Sequence, residues 1–144
     1  MNWANDLPKI IIALVVMGGG AIVVSKVTGS SPSNAALVDV QVPLLSQKAT
    51  LGKQNFDATC AQCHGANASG SENGPPLIHD VYNPGHHSDQ AFQLAAVRGV
   101  RRHHWNFGNM PPQPQVSARE MASIISYVRE LQQANGIIYR EHRM

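Results

Sequence analysis

The sequence is sparing with cysteine and with charge. Two cysteines, at positions 60 and 63, are all that 144 residues contain, so a disulfide-stapled scaffold is excluded. Charged side chains make up 14% of the chain and the formal net charge is +2, too little for the basic footprint of a nucleic-acid binder. The mean hydropathy of −0.18 is that of an ordinary soluble domain, but the average hides two unlike parts. Residues 10–24 carry no charge, whereas all seven histidines lie at or beyond position 64. The length suits one domain and little more.

The uncharged run reads Ile-Ile-Ile-Ala-Leu-Val-Val-Met-Gly-Gly-Gly-Ala-Ile-Val-Val between Lys9 and Lys26. It is short for a membrane span, which needs about 20 apolar residues. Leu7 and Pro8 before it, and Val27 and Thr28 after it, lengthen it, and the flanking lysines can snorkel to headgroups. Gly18, Gly19 and Gly20 suit close packing against another helix in lipid. A cleaved secretory signal is the competing expectation. The weakly basic start and the lack of a nearby small-x-small site favour an uncleaved anchor over residues 1–29. In either case the remainder of the chain is exported. Residues 30–48, rich in Ser, Pro and Ala at first and then alternating at Val38, Val40 and Val42, lack helical periodicity and are expected to be a flexible linker. Fully extended, such a segment reaches about 60 Å.

The chemistry centres on Cys60-Ala61-Gln62-Cys63-His64. Cys-x-x-Cys-His is the attachment signature of c-type haem, in which two thiols add to the vinyl groups and the adjacent histidine reaches the iron. A thioredoxin-like redox pair would want a βαβ context, and a zinc site would want further cysteines; neither is present. Export also favours haem. The expected cofactor is one covalently bound haem c with its iron.

Beyond this motif the chain resembles the class I monohaem cytochrome c family over roughly residues 49–136. Leu51-Gly52 with Phe56 looks like that family's N-terminal helix, whose Gly and Phe pack on the C-terminal helix. Gly74-Pro75-Pro76-Leu77 is similar to its Gly-Pro-x-Leu segment. The resemblance implies that the Pro75 carbonyl orients His64 and that Leu77 lines the pocket. Gly108-Asn109-Met110-Pro111-Pro112 looks like its sixth-ligand loop, implying iron ligation by His64 and Met110. The rival to Met110 is a histidine, His103 or His104, which would give a bis-histidine site of lower potential. Tyr127 resembles the aromatic that the family presents to its N-terminal helix.

Helix signals agree with an all-α fold of three to four helices around a haem domain at 49–137, followed by a basic tail at 138–144. Ser117 and Glu120 form a capping box, and Val116 with Met121 a hydrophobic staple. Met121, Ile124, Ile125, Val128 and Leu131 recur at helical spacing, with Gly136 as terminator. Ser88 caps a middle helix from Asp89 to about Arg98, with Phe92, Ala95 and Ala96 inward and Gly99 ending it.

Arg98, Arg101, Arg102 and Trp105 are candidates for contact with haem propionates or for a docking patch. His79, His86, His87, His103 and His104 raise a second-metal hypothesis, copper among the options, with no spacing that fixes a geometry. No general base or substrate pocket is visible, so no small-molecule substrate is expected. The expected function is a membrane-tethered carrier of single electrons between respiratory complexes on the periplasmic face of a bacterial cytoplasmic membrane. Its redox partners would be a quinol-oxidising complex and a terminal oxidase or another oxidoreductase. Alternatives are a fixed haem subunit of a larger membrane oxidoreductase, a haem-based sensor, or a metal-binding protein.

Overall fold

The computed structural model describes residues 37–141. The expected anchor at 1–29, the first part of the linker and residues 142–144 lie outside them. Among the described residues no helix is long and apolar enough to cross a membrane. The described residues form four α-helices: α1 (Gln47–Thr59), α2 (Ala61–His64), α3 (Asp89–Arg98) and α4 (Ala118–Ala134). Two 3₁₀ turns, Ala66–Ala68 and Asp80–Tyr82, lie between α2 and α3. The only β pairing among these residues is one isolated bridge, Val100 with Met110, so the domain is all-α.

α4 is the amphipathic spine. Its start is closed by the expected capping box: Ser117 Oγ accepts from the Glu120 N–H, and the Glu120 carboxylate accepts from the Ser117 N–H at 2.8 Å. Met121, Ile124, Ile125, Tyr127, Val128 and Leu131 are buried along one face. At its end the Gly136 N–H donates to Gln133 and the Ile137 N–H to Gln132, which satisfies the last carbonyls and buries Ile137.

α1 crosses α4 at close range, and Gly52 is the reason it can. A Cβ on Gly52 would lie 1.9 Å from the Ser123 carbonyl oxygen, so only a residue without one allows this backbone approach. One turn on, the rings of Phe56 and Tyr127 meet edge to face with centroids 5.5 Å apart. α1 starts at Gln47, two residues before the expected domain boundary, because Ser46 caps it: Ser46 Oγ accepts from the Ala49 N–H at 3.1 Å. The Ser46 N–H and hydroxyl both donate to the Glu130 carboxylate on α4, at 2.9 and 2.6 Å.

The second half of the expected linker lies on the domain. The Val38 N–H donates to the Ser69 carbonyl at 3.0 Å. Gln41 pairs through its N–H and carbonyl with the Asn135 side chain, at 2.9 and 2.8 Å. The tail likewise begins by folding back, since the Arg140 guanidinium meets the Asp80 carboxylate at 3.2 Å.

Candidate functional site

The short helix α2 carries the motif. The His64 N–H donates to the Cys60 carbonyl at 2.9 Å, closing one helical turn. Cys60 and Cys63, three apart on that turn, share a face. Burial, with the neighbouring Cys63 as a smaller cause, pushes the Cys60 thiol up to about 11, so before any attachment it is a protonated thiol. The His64 ring is largely buried and its Nδ1–H donates to the Pro75 carbonyl at 2.9 Å. Burial lowers the His64 pKa, with the Pro75 contact acting the other way. The ring is therefore neutral, with Nε2 as its free lone pair, the form that binds iron.

The segment after α2 turns sharply to bring Pro75 there. Asn67 and Ala68 both have positive φ, at 54° and 59°, and the Tyr127 hydroxyl donates to Asn67 Oδ1 at 3.1 Å. The Leu77 N–H then donates to the Ala68 carbonyl at 2.9 Å, setting Leu77 against the core.

An apolar cavity of about 480 Å³ opens beside this helix. That lies within the roughly 300–1,000 Å³ of small-molecule and cofactor pockets. Cys60, His64, Pro75, Leu77 and Met110 all line it, together with Phe56, Phe92, Ile124 and Met121. Cys63 is not among the lining residues; its carbonyl accepts from the Ser71 hydroxyl. His103 and His104 line the same cavity and are solvent-exposed, so they stand on its open side, as do Arg98 and Arg102.

Met110 is held by more than the prolines that follow it. Val100 and Met110 exchange two hydrogen bonds, each N–H to the other's carbonyl at 2.9 Å. Gly99, at φ +73°, lets this bridge close, because a Cβ there would meet the Met110 carbonyl oxygen at 2.5 Å. The Gln113 N–H adds a bond to the Ala96 carbonyl at 2.7 Å. Residues 101–109 thus form a closed lobe pinned to the end of α3.

Trp105 sits in this lobe with its indole Nε1 buried and without a hydrogen-bond partner among the described residues. The Tyr82 hydroxyl is the nearest polar neighbour that acts on the indole, but it does not meet hydrogen-bond geometry. Burial pushes that hydroxyl up to about 12, the indole acting the other way. A buried donor left orphaned costs about 1–3 kcal/mol. A lining with one unmet donor and cationic groups at its open side fits a flat apolar group that carries carboxylates, as haem does.

Two polar residues of α4 escaped the sequence analysis. Gln132 is 1% exposed, and its amide donates to the Leu77 and Tyr82 carbonyls at 2.9 and 3.1 Å. Arg129 donates to the Tyr82 carbonyl, the His87 carbonyl, Gln132 Oε1 and the Asp89 carboxylate, and stacks on Phe92. Together they fasten the chain between Leu77 and α3 that forms one wall of the cavity. Their only sequence signal is polar character on the spine helix, which is also what solvent-facing positions show.

A helical domain that closes an apolar cavity beside a Cys-x-x-Cys-His turn is the build of a covalent haem protein. The family model for cytochrome c matches residues 49–132, and the chain belongs to the cytochrome c family. The cofactor is accordingly covalently attached haem c, with iron. No curated protein and no solved structure matches the chain. Family membership suggests electron transfer to and from redox protein partners, and fits a carrier better than an enzyme.

Proposed function

We propose that this chain is a membrane-tethered, six-coordinate monohaem cytochrome c that passes single electrons between membrane complexes on the periplasmic side. Bound haem supplies a one-electron iron(III)/iron(II) couple. The chain's residues hold and tune that group. Cys60 and Cys63 would carry the thioether links, and His64 Nε2 and the Met110 sulfur would hold the iron. The Pro75 carbonyl keeps the His64 ring oriented and strengthens it as a donor, as a carbonyl behind a ligating imidazole does. Leu77, Phe56, Phe92 and Ile124 exclude water, which favours a relatively high potential together with the thioether ligand. The Trp105 N–H and the arginines at the open side would meet the carboxylates.

The observation that carries this reading is the convergence of His64, Pro75, Leu77 and Met110, far apart in sequence, on one apolar cavity. With His64 and Met110 both holding the iron, the chain's residues would leave it no place for a substrate. The tether rests on the uncharged run at 10–24 and its lysine flanks. The donor would be a quinol-oxidising complex, and the acceptor a terminal oxidase or another oxidoreductase. The test is absorption spectroscopy of the oxidised holo-protein and of Met110→Leu. Wild type is expected to show the weak near-infrared sulfur-to-iron band, and Met110→Leu to lose it. A wild-type spectrum without that band would overturn methionine ligation in favour of His103 or His104.

A further inference from the structure

His87, His103 and His104 line the open side of the cavity and His86 packs against two of them, the four rings coming from two segments distant in sequence. His86 and His87 follow the 3₁₀ turn Asp80–Tyr82, while His103 and His104 belong to the lobe that ends at Met110. Ring centroids are 4.6 Å apart for His86 and His87, 5.2 Å for His86 and His104, and 5.1 Å for His87 and His104. One ring nitrogen from each of His86, His87 and His104 lies within 4.8 Å of the other two.

The finer geometry points at a cation. His86 Nε2 and His104 Nε2 are 3.3 Å apart. Two nitrogens bound about 2.0–2.1 Å from one tetrahedral metal sit about 3.3–3.4 Å from each other. The third ring is already oriented, because the His87 Nδ1–H donates to the Val81 carbonyl at 2.7 Å, leaving Nε2 as its lone pair. This is the carbonyl-behind-imidazole arrangement that fixes the tautomer of metal-binding histidines. The carbonyl of His87 is itself held by Arg129, so this ligand stands on a braced backbone.

We propose that His86, His87 and His104 form a second metal site, separate from the haem iron, for a late first-row divalent cation such as zinc(II) or copper(II). Three imidazoles with no carboxylate suit these metals and not magnesium or calcium. Three protein ligands leave a fourth position for water. The bound cation would tie the segment 83–87 to the lobe 101–109, and through the Val100–Met110 bridge would stiffen the loop that presents Met110.

The test is calorimetric titration of zinc(II) into the untagged, haem-loaded full chain after chelator treatment. One zinc per chain is expected, with a dissociation constant on the order of micromolar. His86→Ala and His104→Ala should each weaken it at least about tenfold, since even partners behind a ligand are worth about 10–100-fold. Gln133→Ala, on the exposed face of α4, should leave it unchanged. Haem absorption and far-UV circular dichroism of each variant report its folding. Independently of any variant, copper(II) bound to the wild type should show nitrogen hyperfine structure in electron paramagnetic resonance. Absence of saturable zinc binding, unchanged affinity in His86→Ala and His104→Ala, or copper without nitrogen couplings would each overturn the site. Zinc stoichiometry and affinity in the wild type, and the copper couplings, do not read the axial ligand of the iron, so this proposal and methionine ligation can fail separately.

Discussion

Replacing Gln132 by leucine probes the wall of the haem cavity from behind. The side chain is 1% exposed and makes three hydrogen bonds: amide N–H groups to the Leu77 and Tyr82 carbonyls, and Oε1 from Arg129. Leucine is close to glutamine in volume, although it branches one carbon earlier, so Gln132→Leu opens little cavity and the polar loss dominates. The Tyr82 carbonyl keeps its bond from Arg129 at 2.9 Å. The Leu77 carbonyl is left without its donor, and an orphaned buried acceptor costs about 1–3 kcal/mol. Arg129 also loses one of its acceptors while keeping Asp89 and two carbonyls. The sum is a destabilisation of about 2–3 kcal/mol, or roughly 10–20 °C in Tm for a domain of this size. The assay is thermal unfolding of the haem-loaded protein followed by far-UV circular dichroism. The neighbouring Gln133 is exposed, so Gln133→Leu should stay within about 0.5 kcal/mol of wild type. A Gln132→Leu protein as stable as wild type, or a Gln133→Leu protein equally damaged, would refute the assignment.

Gly52→Ala places a methyl group 1.9 Å from the Ser123 carbonyl oxygen and must spread α1 from α4. Denaturant unfolding should register a loss of about 2–3 kcal/mol, the upper range for overpacking; an unchanged midpoint would mean the helices separate freely. Trp105→Phe keeps an aromatic ring but removes the orphaned N–H. If that N–H meets a haem carboxylate, the holo-protein should lose about 1.5–3 kcal/mol, as for a hydrogen bond to a charged group. A holo-protein that gains stability instead would show the N–H to be unpaired with haem bound as well.

Much of the helical frame was legible in the chain because its signals are local. Ser117 and Glu120 lie three apart and close their own turn, and the α4 stripe repeats at the helical period, so both need no knowledge of distant residues. The same holds for Ser88 and Gly99 at the two ends of α3. α1 starts two residues before the expected domain boundary at 49, because Ser46, after Pro43-Leu44-Leu45, has no local signal that sets it apart from Ser30, Ser31 and Ser33. What singles it out is the reach of its hydroxyl and N–H to Glu130, 84 positions away. Residues 37–45 read as linker for a similar reason: their bonds go to Ser69 and Asn135, which no periodicity announces.

The sequence by itself determined the haem attachment motif, the helical class and the polarity of the spine helix, since each depends on neighbours within one or two turns. It could also name Pro75, Leu77 and Met110 by likeness to a family. Only the tertiary structure decided how these are held. The Val100–Met110 bridge, the Gln132 and Arg129 clasps and the orphaned Trp105 N–H are contacts between segments remote in sequence. So is the meeting of His86, His87 and His104. Residue type alone cannot specify such contacts, because a buried glutamine and an exposed one, or a converging histidine and a solvated one, are the same letter until packing sets their distances and removes their water.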